Sequence, residues 1–305
     1  MESALSGPFG ARPSMPSEPA PPSSPAASSA SSVPSVPSAA AAGGAENTAD
    51  IPAATAPTTT DGRAVRDTAG LFRLLDDLFE VRAGDWWDRF YADRDRGTPF
   101  FVAKPDENLA AYTGPSGPIT PGRALDIGCG PGRNALHLAA LGHHVDAVDL
   151  SATALAWAAE RADAAGPTVR GRVRLLHGDV FTLPLDGPYD LIYDSGCFHH
   201  LAPHRRISYL DLLGRRLAPG GWFGLSCFAA GEDGMGTERP DAALYRDRTL
   251  HGGVAYTPDQ LRHIFTGLPL TETELRRMRD EPADAPYFGA PFLWTALFRR
   301  PVTTG

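Results

Sequence analysis

Lysine is almost missing from this chain: Lys104 is the only one, and the basic charge is nearly all arginine. With 28 basic against 36 acidic residues, the formal net charge is -8. That balance argues against a general nucleic-acid binder or a partner of acidic membranes. Cysteine is scarce too. Cys129, Cys197 and Cys227 are too few and too scattered for a disulfide framework, and none stands in a C-x-x-C or Cys/His metal spacing, so no metal site is expected. No segment approaches the roughly 18–20 uninterrupted apolar residues of a membrane span. The sequence therefore reads as a reduced, cytoplasmic, soluble protein.

What is abundant divides the 305 residues in two. Residues 1–65 are dominated by Ala, Ser, Pro, Gly and Thr and show apolar periodicity of neither kind. Such a segment cannot bury enough surface to offset roughly 1–2 kcal/mol of backbone entropy per residue, so a disordered tail is expected. It has no basic start followed by an apolar run, and its acids outnumber its two arginines, so it reads neither as a secretory signal nor as a transit peptide. Residues 66–305 are left for one α/β domain.

In that domain Leu71, Leu74, Leu75, Leu78 and Phe79 recur at helical spacing, and Trp86, Trp87, Phe90 and Tyr91 continue an aromatic helical face. A Gly/Pro-rich connector, 114–122, closes this helical segment of 66–122. Short apolar runs then alternate with helical stretches through 123–228. Strands are expected at 124–127, 145–149, 173–176, 189–193 and 222–228, and helices at 134–141, 152–164 and 207–217, a pattern of right-handed βαβ units around a parallel sheet. In 229–305, a long glycine-rich insertion (229–255) precedes a helix at 258–265 and strands at 270–277 and 292–298. The loop between those last two strands is too short for a helical crossover, so they must pair antiparallel. The second is apolar on both faces and belongs inside the sheet.

Ligands of open parallel sheets bind at the carboxyl ends of the strands. Three acids stand there. Asp126 opens the turn Asp126-Ile127-Gly128-Cys129-Gly130-Pro131-Gly132, Asp149 ends the second strand, and Asp179 follows the third in Gly178-Asp179-Val180. A carboxylate at 149 can accept both hydroxyls of a ribose, and one at 179 the amino group of an adenine. The run Gly130 to Ala135 also matches the dinucleotide pattern G-x-G-x-x-A. Against a diphosphate, however, Pro131 removes an N–H group, and Asp126 sets a negative charge at the loop mouth that suits an ammonium instead. An ammonium, a ribose and an adenine without phosphate describe S-adenosylmethionine.

Ala124-Leu125-Asp126-Ile127-Gly128-Cys129-Gly130-Pro131-Gly132 resembles motif I of the class I S-adenosylmethionine-dependent methyltransferases, and the resemblance extends over about 66–300. It implies that family's fold: a Rossmann-like, doubly wound, mostly parallel sheet with a C-terminal antiparallel strand. It also implies S-adenosyl-L-methionine as cofactor, held by Asp126, Gly128, Cys129, Gly130, Gly132, Asn134, Asp149, Leu150, Asp179 and Val180. Gly132-Arg133-Asn134 is similar to the tellurite-resistance and thiopurine methyltransferase branch, which implies a small soft acceptor such as a thiol. Family members place substrate-contacting residues in the turn after the fourth strand, here Asp194, His199 and His200. Trp86, Trp87, Tyr91, Phe100 and Phe101 are candidates for an aromatic lid that holds a sulfonium by cation–π attraction. Tyr245, Arg246 and His251 of the insertion are candidates for defining the acceptor, whereas His143 and His144 are expected at the surface. The expected partner is a small molecule, not nucleic acid or membrane, with the chain a monomer or weak dimer. Three other readings stand beside this one: a methyltransferase acting on RNA or protein, an NAD(P)-dependent oxidoreductase, and a non-catalytic S-adenosylmethionine-binding protein.

Overall fold

The computed structural model describes residues 64–79, 84–231 and 233–302; the expectation for the tail falls almost wholly outside them. The order runs α1 (Thr68–Leu78), α2 (Gly84–Ala92), a 3-10 turn (Pro99–Phe101), α3 (Glu107–Thr113), β1 (Arg123–Ile127), α4 (Arg133–Ala140), β2 (His144–Asp149), α5 (Ala152–Ala164), α6 (Pro167–Arg170), β3 (Val173–His177) and β4 (Tyr189–Ser195). After a second 3-10 turn (Phe198–His200) come α7 (Arg205–Arg216), β5 (Leu217–Phe228), α8 (Asp241–Asp247), α9 (Pro258–Phe265), β6 (Thr271–Arg277) and β7 (Leu293–Arg299).

Seven strands form one sheet in the order β3-β2-β1-β4-β5-β7-β6. The first five are parallel. β7 enters antiparallel between β5 and β6, as its two apolar faces require. Period-two alternation builds a core on each side of the sheet. Leu125, Ile127, Ile192, Phe223 and Leu225 pack with Tyr209 of α7 and Leu261 and Phe265 of α9. Ala124, Leu191, Tyr193 and Leu297 pack with Leu109 of α3 and Ala135 and Leu138 of α4. No helix among the described residues is long and apolar enough to cross a membrane.

Local chemistry sets the helix starts. Ser151 caps α5 by accepting from Ala154 N, and Thr257 and Gln260 form a reciprocal capping box ahead of α9, with Pro258 in its first turn. Two expectations differ from the structure. The helix expected to run to Leu217 ends at Arg216, and β5 begins at once: Leu217 pairs with Tyr189, and a register shift over Pro219-Gly220-Gly221 precedes the Leu191–Trp222 pair. A proline is tolerated there because a bulge needs no donor from it. His143 is buried, because Nδ1 accepts the Gly122 N–H at 3.3 Å; only His144 is exposed.

Candidate active site

The turn between β1 and α4 is built from three glycines with positive φ, at Gly128 (65°), Gly130 (52°) and Gly132 (79°). A Cβ on Gly128 would lie 2.8 Å from Cys197 Cβ, and Gly130 is as confined from the other side. A Cβ there would lie 3.0 Å from the Tyr91 hydroxyl, so any side chain would press on the residue that covers the loop. Cys129 is buried, and its N–H bonds Val148 O at 2.9 Å, which ties the loop to β2.

Asp126 is 2% exposed, and its Oδ2 has no hydrogen-bond partner among the described residues. Burial pushes this carboxyl up to about 8; the pull of Arg133 opposes the rise and the charges of Asp106 and Asp194 add to it. A buried carboxylate oxygen without a donor costs free energy until a donor arrives. Asp149 is also raised by burial, but it is better supplied: Oδ1 accepts Ser151 N and Oδ2 accepts Gly130 N, both at 2.8 Å. A carboxylate has about four lone-pair sites, so two such bonds leave room for ribose hydroxyls. Leu150, next in sequence, is exposed. Asp179 Oδ1 accepts Phe181 N at 2.9 Å and shapes the turn after β3, beside buried Val180. The residues therefore suit S-adenosylmethionine: an orphaned acid for the ammonium, an acid at the end of β2 for the ribose, and a turn at the end of β3 for the adenine.

After β4 the chain turns tightly. Asp194 is fully buried and spends its carboxylate on the turn itself: Oδ1 accepts from Cys197 N (2.9 Å) and Phe198 N (3.3 Å), and Oδ2 from the Tyr209 hydroxyl (2.9 Å). Burial nonetheless raises it to about 7. His199 is 3% exposed and stacks on Phe228 with centroids 3.6 Å apart, and its Nε2 meets Nε2 of His200 at 3.1 Å. His200 in turn meets Trp87 edge-on at 5.1 Å.

The aromatic residues expected as a lid do cluster. Trp86 stacks on Phe90, Phe90 on Phe100, and Tyr91 on Phe101, with centroids 5.5, 6.2 and 5.5 Å apart. Helix α2 packs on α5 and holds Tyr91 against the glycine loop. Burial raises the Tyr91 phenol well above its ordinary value, and the neighbouring Asp149 charge adds to that.

Several residues that organise this site escaped sequence reasoning. Asp106, at the start of α3, pairs with Arg133, accepts the Tyr193 hydroxyl at 2.7 Å and bonds both amide atoms of Asn134. Asn134 thus faces α3 with its whole amide. Arg133 also donates to Ser195 Oγ at 2.9 Å and lies over the Phe288 ring. The N-terminal segment, the glycine loop, the end of β4 and the β6–β7 loop meet on that one guanidinium. The available signal was an arginine at the first position of α4, directly after the glycine turn, which must be paired if buried. Tyr245, Arg246 and His251 of the insertion have other work: Tyr245 bonds His204, Arg246 bonds Ala242 O, and His251 pairs with Asp247. No cluster of metal-ligating side chains occurs among the described residues.

Residues 124–221 match the family described as a methyltransferase domain. A probable thiol methyltransferase 2 of Arabidopsis thaliana is 29% identical over 160 residues, which cover 52% of this chain and 66% of that protein. A structure solved in work on the conversion of a disulfide bond into a thioacetal group during echinomycin biosynthesis superposes with a TM-score of 0.53 at 23% identity, over 73% of this chain and 93% of that one. The phosphoethanolamine N-methyltransferase 2 of Haemonchus contortus, in complex with phosphomonomethylethanolamine and S-adenosylhomocysteine, superposes with a TM-score of 0.51 at 19% identity, over 72% of this chain and 58% of that one. The chain spans between 44% and 66% of the length of these curated relatives. Residues 124–221 thus match a methyltransferase domain, and the seven-stranded sheet has the fold of the class I methyltransferases.

Proposed function

We propose that this chain transfers a methyl group from S-adenosylmethionine to a small-molecule acceptor, with a thiol or similarly soft nucleophile as the acceptor atom. The observation that supports it most directly is the buried, partnerless Asp126 Oδ2 at the mouth of a glycine turn. An ammonium beside that acid favours its ionisation and a diphosphate opposes it, which disfavours the nicotinamide reading. When bound, S-adenosylmethionine supplies an electrophilic methyl carbon on a sulfonium that departs as a neutral thioether. No acid is therefore needed for the leaving group, and the protein's work is positioning, for which effective molarity can supply roughly 7–11 kcal/mol.

In this reading Asp126 holds the ammonium, Asp149 the ribose, and Asp179 with Val180 and Leu150 the adenine end. Tyr91 and its aromatic neighbours exclude water above the glycine loop. Asp194 anchors the turn that carries His199 and His200: its Oδ1 accepts two N–H groups of that turn and its Oδ2 the Tyr209 hydroxyl of α7. Three scattered free cysteines suit the reducing cytoplasm, and a monomer or weak dimer suffices because the described chain supplies every element of the site.

The test is methyl transfer from labelled S-adenosylmethionine across matched thiols, amines and alcohols. Turnover with thiols ahead of the other two is the expected result. Turnover confined to amines or alcohols would overturn the soft-acceptor assignment, and tighter binding of NAD than of S-adenosylhomocysteine would overturn the methyltransferase reading.

A further inference from the structure

Two carbonyls at the edge of the glycine loop receive no backbone N–H among the described residues, and backbone oxygens that leave water need a donor. Pro131 stands one residue too early for the ladder of α4, whose first bond runs from Leu136 N to Gly132 O at 2.9 Å. Phe101 ends the 3-10 turn, where the last backbone bond runs from Phe101 N to Thr98 O at 3.0 Å. One side chain answers both. Arg161, in the last turn of α5, donates from Nη2 to Phe101 O at 2.8 Å and from Nη1 to Pro131 O at 3.3 Å.

The guanidinium is half-buried, and its hydrogen-bond partners are carbonyls, not carboxylates. Burial lowers its pKa, and the like charges of Arg133 and Arg94 add to that. What holds the cation in place is the pair of carbonyl dipoles and the Trp157 ring, 4.4 Å below it. Trp157 in turn meets Phe101 edge-on at 5.3 Å. The bridge reaches the loop a second time through Phe101, which stacks on Tyr91, and the Tyr91 hydroxyl stands 3.0 Å from the place of a Gly130 Cβ. Arg161, Phe101, Tyr91, Gly130 and Pro131 therefore form a closed ring of contacts. One side of it is the cover, α2 with the 3-10 turn, and the other is the glycine loop.

We propose that Arg161 is a positioning residue, the bolt between the glycine loop and its cover, which makes the two open as one body and so sets the rate of cofactor exchange. The exchange role rests on the methyl-transfer reading above; the bolt does not. The planar fork of an arginine spans two carbonyls at fixed geometry, which the point charge of a lysine does not reproduce. Arg161 acts on the opening of the site and not on the methyl step, which keeps its own pace once the cofactor is in place.

Hydrogen exchange read by mass spectrometry on the free full-length protein tests the bolt without a ligand. In Arg161→Met, which keeps the stem and loses the fork, segments 86–102 and 128–133 should both exchange faster, by about 10-fold, the scale of one hydrogen bond to a charged group. Arg94→Ala breaks the exposed Arg94–Glu160 pair, which ties the cover to α5 and not to the loop. It should quicken 86–102 by about 5-fold at most and leave 128–133 unchanged. In stopped flow, S-adenosylhomocysteine should leave Arg161→Met about 10-fold faster than wild type and Arg161→Lys at an intermediate rate. At saturating S-adenosylmethionine, kcat should stay within about 3-fold. A loop that stays protected while the cover loosens overturns the bolt, and so does equal loosening of the loop by Arg94→Ala. An unchanged dissociation rate, or a fall in kcat without one in residence time, overturns the exchange role. Should Arg161→Met not fold, Arg161→Lys carries the same comparisons. If the wild-type protein binds no S-adenosylhomocysteine, the exchange role falls with the reading it rests on, while hydrogen exchange alone decides the bolt.

Discussion

Asp88, on the helix that covers the glycine loop, accepts the Ser151 hydroxyl at 2.6 Å, and Ser151 is the cap of α5. Asp88 also takes Thr153 N at 2.9 Å. The cover is thereby fastened to the element that follows the ribose acid, two residues beyond Asp149. Ser151→Ala removes the cap and the fastening together. A loss of about 1–2 kcal/mol is expected, or roughly 2–8 °C in melting temperature for a domain of this size. Asp88→Ala should cost less stability but weaken S-adenosylhomocysteine binding, because α2 is then free to lift. Thermal melts and calorimetry on the two variants check this.

Asp149→Ala should weaken cofactor binding by about 100-fold or more, since charge-assisted hydrogen bonds contribute roughly 1.5–3 kcal/mol each. It should also lower the melting temperature, because Gly130 N and Ser151 N lose their acceptor. Asp149→Asn keeps one acceptor oxygen and should be milder on both counts. Unchanged affinity in the alanine variant would show that the ribose lies elsewhere.

Asp126 couples stability to pH. Its folded pKa, about 8, lies above the unfolded value of 3.8. Its contribution to stability is therefore fully present below about pH 4 and is lost as pH rises towards 8. Asp126→Asn has no such loss, so its melting temperature relative to wild type should rise between pH 5 and pH 8.5. One pKa unit corresponds to about 1.4 kcal/mol, so a relative gain of at least about 2 °C is expected. The variant should also bind S-adenosylmethionine less tightly. A relative melting temperature that is flat with pH would show that Asp126 is already ionised in the free protein.

Tyr209→Phe removes one donor to Asp194 without touching the turn's backbone. It should destabilise the domain by about 1–3 kcal/mol and leave KM for the acceptor unchanged. A large rise in KM at unchanged stability would place Asp194 in the acceptor site.

Removing residues 1–63, whose composition offers no apolar face, should leave melting temperature and cofactor affinity unchanged. The chain divides into Met1–Thr58 and Thr59–Gly305, and the second unit holds every element of the site. A fall of more than about 4 °C would mean that the segment packs on the domain.

Much of this architecture was legible because it obeys periodic rules. The bounds of α5 and α9 follow from a capping residue and a regular apolar face, and β7 follows from a run apolar on both sides. The glycine turn and the acids at 126, 149 and 179 were legible because backbone geometry restricts glycine and strand ends collect ligands. What sequence reasoning missed depends on contacts between distant segments. Nothing local to Asp106 says that it will meet Arg133, Asn134 and Tyr193. Asp194 looked available as the first polar group after β4, yet the turn's own N–H groups claim it. The start of β5 was hidden because Pro219-Gly220 reads as a helix terminator, and a bulge inside a strand uses the same residues.

The wedge position of β7 bears on how the chain reaches this state. Phe228 pairs with Leu293, so the contact that joins the parallel sheet to its last two strands closes a loop of roughly 65 residues, an entropic cost that local helices and βαβ units avoid. Until that loop closes, β5 has one bare edge and β6 has no neighbour, since among the described strands β6 pairs only with β7. The sheet is thus most exposed to edge-to-edge association late in folding, after most of its parallel part has formed. Refolding yield should accordingly depend on protein concentration, and substitutions in β7 should lower it before they lower the affinity of the native protein for its cofactor.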